Sequence, residues 1–177
     1  MKKSLWLILI LVIIVALLYL GFAEKIMIAY YANKTGQETD KVEQYFDKVE
    51  EYAEKVKQEI DNFDYRVELA RAYEYAGNID KAIEIYEEYS DKVSDDIFFL
   101  YHNNLGKLYE KKEEHQTAID HYTKIIEKFG DQYPRTYINL ANSALDLEDK
   151  ESAINYYLKF RTATDGAEDS ALQQRLN

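Results

Sequence analysis

The chain repeats itself with a period of about 35 residues, and this repetition constrains its fold more than any other feature. Leu69, Leu105 and Leu140 begin three similar stretches that lie 36 and 35 residues apart, and a small residue follows each leucine. Twelve positions after that small residue comes an alanine, with a tyrosine four positions further on: Ala82 and Tyr86, Ala118 and Tyr122, Ala153 and Tyr157. Repeats of this length bury a core against their neighbours, so the sequence predicts a stacked array.

Each unit is predicted to be a pair of helices. Apolar and small positions recur at helical intervals, and a turn signal such as Gly77-Asn78 or Glu148-Asp149 breaks each unit once. We therefore expect antiparallel hairpins of two helices, each of about 12–14 residues. Six glycines and one proline in 177 residues leave little material for the turns of a sheet protein, which favours an all-α chain.

These columns of leucine plus small residue, alanine and tyrosine resemble the tetratricopeptide repeat (TPR) family over about residues 63–161. The resemblance implies an α-α superhelix with three helical-hairpin repeats at about residues 63–98, 99–133 and 134–167. The chain also departs from the family pattern. The family's first-helix tryptophan is replaced by Arg66, His102 and Tyr137, and the proline that usually closes a unit is missing.

Two further segments flank the three repeats. Residues 24–62 are expected to form a connecting helix and a degenerate first repeat, with a turn at residues 35–40 and a long helix from about Lys41 to Ile60. Residues 168–177 are expected to form a short C-terminal capping helix. Terminal units of a repeat array are atypical because one of their faces has no neighbour.

The amino terminus carries a long apolar stretch. Residues 5–23 contain no charged side chain, and Lys2 and Lys3 precede them. A helix of this length spans about 28 Å, close to the hydrocarbon thickness of a bilayer. We predict a transmembrane anchor at residues 1–23 that meets the lipid bilayer through residues 5–23. A cleaved signal peptide ending at Gly21-Phe22-Ala23 is the alternative. The basic flank predicts a cytoplasmic N-terminus and an extracytoplasmic TPR domain, in the periplasm or at the outer face of the cell membrane.

Composition and motif content argue against several function classes. The net charge of −11 would repel a polyanion, so nucleic-acid binding is not expected. The chain has no cysteine, and His115 and His121 stand six apart, which places them on different faces of a helix. No catalytic or phosphate-binding motif occurs. We therefore expect no enzymatic activity, no cofactor and no metal.

In the TPR family, peptides lie in the concave groove formed by the first helices, so the resemblance implies a protein partner there. Transferred to this sequence, the groove stripe gives candidate partner-binding residues Arg71, Tyr75, Asn103, Asn104, Lys107, Lys111, Arg135, Asn139 and Asn142. Asparagine can donate to and accept from an extended backbone, whereas arginine and lysine can hold a carboxylate. Some members clamp a C-terminal carboxylate with five residues. Asn104 matches one of the five and Arg135 approximates another, whereas Val67, Arg71 and Asn139 depart from the remaining three.

Two functions of different classes fit this pattern. The first is a membrane-anchored interaction module, an adaptor or scaffold that binds a protein segment reversibly in its groove. The second is a structural accessory subunit that is docked permanently in a larger membrane or envelope complex. The sequence names neither the partner nor the oligomeric state.

Overall fold

The computed structural model describes Ala23 and residues 25–176, and every regular element among them is helical. Residues 25–35 form α1. The other helices are α2 (Thr39–Gln58), α3 (Phe63–Tyr75), α4 (Ile79–Glu87), α5 (Phe98–Lys111), α6 (His115–Phe129), α7 (Arg135–Asp146), α8 (Lys150–Ala163) and α9 (Ser170–Leu176). Short 3₁₀ turns follow α4 at Ser90–Lys92 and α6 at Gly130–Gln132. The chain divides into two compact units, the first ending at Asn78 and the second beginning at Ile79.

The first unit contains α1, α2 and α3. Ile28 and Ala32 of α1 are buried together with Val42 of α2, and the rings of Tyr31 and Phe46 pack beside them. Helix α2 also packs along α3. The helix–turn–helix expected before the first repeat is therefore present, with the turn at residues 36–38 and the long helix ending at Gln58 rather than Ile60.

The second unit contains the α5–α6 and α7–α8 hairpins, with α4 packed on α5 and α9 packed on α7 and α8. The repeated columns of the sequence form its core. Leu105, Ala118 and Tyr122 of the first hairpin are each at most 1% exposed. Their counterparts in the second hairpin are buried too, namely Leu140, Ala153 and Tyr157. The all-α fold of TPR-type hairpins expected from the sequence is confirmed.

A recurring backbone turn ends the first helix of each repeat. The positive φ values at Gly77, Glu113 and Glu148 are 84°, 64° and 61°. In each case the next residue donates its N–H to a carbonyl five positions earlier, as Asn78 does to Tyr73 at 2.8 Å. Glycine takes a positive φ without steric cost, whereas glutamate adopts it only under the constraint of the surrounding hairpin. The turn is therefore common to all three repeats although only one of them carries a glycine.

The structure shows the helix expected at the C-terminus, whereas it does not describe the anchor expected at the N-terminus. The C-terminal helix is present as α9, where the Asp169 side chain accepts from the Leu172 N–H at 2.9 Å and the Leu172 side chain is buried. The anchor expected at residues 1–23 lies outside the described residues, except for Ala23. Within the part of the chain that the structure describes, no helix is both long and apolar enough to cross a bilayer.

Candidate functional site

A cleft of about 650 Å³ lies in the second unit, bounded by α5 on one side and by the start of α7 on the other. Helix α5 places Phe99, Asn103 and Lys107 one turn apart along a single stripe, because residues four apart share a helix face. The opposite wall comes from the segment that enters α7 and from its first turns: Gln132, Tyr133, Pro134, Arg135, Thr136, Ile138 and Asn139.

Aromatic rings form the apolar part of this cleft. The ring of Phe99 stacks on that of Tyr133, with centroids 3.9 Å apart and planes 15° apart. Phe129 holds Tyr133 from another side in an edge-to-face contact at 5.3 Å. Both cleft rings remain partly exposed. A stacked pair fixed in this way offers a rigid apolar surface to a ligand at little cost in conformational entropy.

Two cations flank the rings. Lys107 and Arg135 are exposed, and neither has an ion-pair partner among residues 25–176. Some other cations of the same unit are paired; Lys112, for example, lies 3.0 Å from both Asp80 and Glu114. In a chain with a net charge of −11, two cations without carboxylate partners at one cleft form a local positive site.

The cleft brings together four of the nine residues predicted from the groove stripe: Asn103, Lys107, Arg135 and Asn139. Lys111 lies on the same helix but outside the lining. Asn104 faces α4, where its Nδ2 donates to the Tyr86 hydroxyl at 2.8 Å. Asn142 is engaged by the C-terminal helix, since its Oδ1 accepts from Arg175 at 2.6 Å. Ligand contact through any of these residues stays a prediction.

The remaining two predicted residues lie in the first unit. Arg71 is paired with Glu68 at 2.8 Å on the exposed side of α3. Tyr75 stacks on Tyr45 of α2 with centroids 5.0 Å apart, and 44% of its surface remains exposed. Both side chains already have a partner within their own unit.

Sequence reasoning missed the aromatic wall of the cleft. Phe99 and Tyr133 belong to none of the repeated columns, and Tyr133 precedes the one proline of the chain at the entry to α7. An aromatic residue next to Pro134 was the available signal, because the fixed φ of proline orients the segment before the helix.

Sequence reasoning also missed a histidine pair. His102 of α5 and His121 of α6 approach to 2.9 Å between their Nδ1 atoms, and the ring of Tyr109 stacks on His121 at 5.5 Å. Burial lowers the pKa of each histidine to about 4, and the charges of Lys124 and, for His102, Lys128 add to this. No group of three or more His, Asp or Glu side chains suited to a metal occurs in residues 25–176.

Comparisons with known proteins place the hairpins in a known class. One tetratricopeptide repeat model matches residues 64–95, and a second matches residues 100–127 and 134–160. These three stretches match tetratricopeptide repeats. The matched ranges correspond to the helix pairs α3–α4, α5–α6 and α7–α8.

Solved structures agree on the fold of these TPR hairpins. One crystal structure of MamA is 21% identical, covers 72% of each chain and has a TM-score of 0.61. A second MamA structure is 19% identical, with a TM-score of 0.63 over 85% of this chain and 79% of the other. The nearly identical TPR-like repeats of a kinesin light chain from Podosopora anserina are 16% identical, with a TM-score of 0.56 over 88% and 83%. No curated protein matches the chain. At these identities the likeness shows the fold alone.

Proposed function

We propose that the chain is a protein–protein interaction module whose cleft between α5 and α7 binds an extended, acidic segment of a partner protein. One observation carries the proposal, namely the pair of cations without carboxylate partners, Lys107 and Arg135, beside a stacked aromatic pair. Exposed lysines elsewhere in the unit, such as Lys124 and Lys150, also lack an ion pair with any described residue, but Lys107 and Arg135 line one cleft together with a partly exposed aromatic surface. An anionic ligand supplies the missing partner.

The chemistry of the cleft fits such a ligand. The Arg135 guanidinium can donate two parallel hydrogen bonds to a carboxylate, and the Lys107 ammonium adds a point charge on the facing helix. The Asn103 and Asn139 amides can each donate to and accept from a peptide backbone. An apolar side chain of the ligand can cover the partly exposed rings of Phe99 and Tyr133. The cleft thus favours a segment that alternates acidic and apolar residues.

The first prediction is loss of partner binding on charge reversal. In a Lys107→Glu, Arg135→Glu variant two attractions become repulsions, so we expect at least about tenfold weaker binding, because one charged hydrogen bond contributes about 1.5–3 kcal/mol. The partner is first isolated by gentle detergent pull-down and mass spectrometry. Its affinity for each variant is then measured by isothermal titration calorimetry at two salt concentrations.

A Lys124→Glu, Lys150→Glu variant is the matched control, since both lysines are exposed on other helices and the change in net charge is the same. It should retain the wild-type affinity to within about twofold, because long-range charge effects are screened at physiological salt. Equal affinities of the cleft variant and this control would contradict binding in the cleft.

A specific observation favours the second candidate, a permanently docked accessory subunit. Ile154 and Leu158 lie one turn apart on α8 and are 40% and 52% exposed. An exposed apolar pair on one helix face can serve as a contact with a fixed partner. Stoichiometric co-purification that survives cleft charge reversal would favour this function over the adaptor.

We also propose that residues 1–23 anchor the module in a membrane, with the repeats outside the cytoplasm. The support is the uncharged run at residues 5–23 and the basic flank before it. The second prediction follows from this. The chain should remain in the membrane pellet after alkaline carbonate washing, and protease added to intact protoplasts should digest the repeats. Complete protection of the repeats would show that they lie in the cytoplasm. A mature chain beginning at Glu24 would show that residues 1–23 are a cleaved signal peptide.

A further inference from the structure

Helix α1 has two apolar faces, of which only one is packed. Ile28 and Ala32, one turn apart, are 4% and 7% exposed and lie against α2. On the opposite face, Ile26, Met27 and Tyr30 are 54%, 40% and 57% exposed. These three residues form the α1 strip. At 100° per residue they fall within about 100° of one another, on the side of the helix away from Ile28 and Ala32.

The exposed face of α1 is apolar near the amino-terminal end of the helix and polar near its carboxy-terminal end. The α1 strip occupies the turns nearest the amino terminus, and the same face continues into Asn33 and Lys34, both exposed. On the amino-terminal side, Glu24 and Lys25 separate the α1 strip from the uncharged run at residues 5–23. Along this face the side chains change from apolar, through tyrosine, to asparagine and lysine. This order matches the layers of a bilayer, from hydrocarbon through the headgroups to water.

We infer that the α1 strip lies in the headgroup layer of a lipid bilayer and holds the first unit against the membrane surface. This inference rests on the proposed anchoring through residues 5–23. A helix rises 1.5 Å per residue, so Ile26 and Met27 stand about 4.5–6 Å beyond Ala23 and Tyr30 about 10 Å beyond it. The headgroup layer on each side of the hydrocarbon is about 5–8 Å thick. Ile26 and Met27 therefore fall inside the layer, and the Tyr30 side chain, which is tilted toward the helix N-terminus as helical side chains are, points back toward its outer boundary.

The side chains of the α1 strip also match the chemistry of the headgroup layer. Tyrosine is favoured at this depth because its ring prefers the apolar side while its hydroxyl reaches water. Lys34 places its Nζ 5.9 Å from the centre of the Tyr31 ring, and at 1.5 Å per residue it stands beyond the headgroup layer, on the aqueous side. A second transmembrane helix that continued along this face would be expected to meet small side chains that allow close approach, whereas the α1 strip consists of three large ones.

Cysteine labelling can test the inference, because the chain has no cysteine of its own. The full-length chain is reconstituted into vesicles of phosphatidylcholine and phosphatidylglycerol, with a small fluorophore on Ile26→Cys, Tyr30→Cys or Glu50→Cys. Glu50 is the matched control, since it is exposed on α2 of the same unit. Quenching is measured with aqueous iodide and with lipid that carries a nitroxide near its carbonyl group.

We expect iodide to quench the labels at positions 26 and 30 about fivefold less than the label at position 50, and the nitroxide lipid to quench them more, as for side chains in the headgroup layer. Equal iodide quenching at all three positions in a chain that resists carbonate washing would overturn the α1 strip assignment alone. Protection from iodide without lipid quenching would show a protein covering the strip and overturn it as well. Release of the chain by carbonate would contradict the proposed membrane anchor and would therefore overturn this inference as well.

Discussion

The free energy of unfolding of a Gly106→Val variant should be about 3 kcal/mol lower than that of the parent chain. This is the upper end of the range for inserting methyl groups into a packed core. A Cβ atom at Gly106 would lie 2.5 Å from Cε1, 2.7 Å from Cζ and 2.9 Å from Cδ1 of the Tyr122 ring. Tyr122 has no exposed surface, so its ring cannot swing away without displacing neighbours in the core. This expected loss exceeds the gain in helix propensity from replacing glycine, which is less than about 1 kcal/mol.

Urea denaturation of four chains tests this contact as a double-mutant cycle: the parent, Gly106→Val, Tyr122→Leu and the combined variant. Leucine at position 122 removes the ring atoms that would meet the new side chain. The cost of Gly106→Val should therefore fall by at least about 1 kcal/mol in the Tyr122→Leu background. A Lys107→Val variant on the same helix is the control and should change stability by at most about 0.5 kcal/mol, because that side chain is exposed. Additive effects of positions 106 and 122 would show that the close approach is not a constraint.

The core of the repeats could be predicted because local periodicity determines it. The leucine, alanine and tyrosine columns recur at helical spacing in three successive stretches, and every such position is buried. A position that is apolar or small at the same point of the helical period in three units has few roles other than packing in the core. The left-handed turn residue could not be predicted in the same way, since Glu113 and Glu148 carry a positive φ without the glycine that marks it at Gly77.

The candidate site was predictable only in part. A helical stripe identified Asn103, Lys107, Arg135 and Asn139, which line one cleft. The same stripe included Asn104 and Asn142, whose partners are Tyr86 and Arg175, 18 and 33 residues away. Spacing within one helix gives the direction of a side chain to about a third of a turn. It cannot indicate which distant helix will supply a hydrogen-bond partner.

The same limit explains the histidine pair. Spacing within a single helix predicts that His115 and His121 lie on different faces, but it says nothing of His102 and His121, which meet across two helices. Their approach depends on the α5–α6 packing that Gly106 permits, and no motif within either helix predicts it. His102 occupies the position at which the family carries tryptophan, so the pair fills space that an aromatic residue otherwise fills.

Acidification from pH 7 to pH 5 is expected to destabilise the second unit through this pair. Burial lowers the pKa of both His102 and His121 to about 4, from about 6.5 in an unfolded chain. Between these two values the unfolded state binds more protons than the folded state, so stability falls as the pH falls. Each additional proton contributes a slope of about 1.4 kcal/mol per pH unit. The charges of Lys124 and Lys128 oppose protonation of His102, whereas Asp120 and Glu87 partly favour it at His121.

The hydrogen bond between the rings makes the two protonations unequal. One Nδ1 donates to the other at 2.9 Å, so the first proton can enter while this bond survives, whereas the second must break it. A His102→Phe, His121→Leu variant should lose most of the pH dependence of unfolding between pH 7 and 5, as measured by urea denaturation at each pH. His115→Gln is the control, since it removes a histidine outside the pair and should leave that dependence in place. If the double variant is destabilised on acidification as steeply as the parent chain, other groups are responsible and the buried pair is not the origin of the effect.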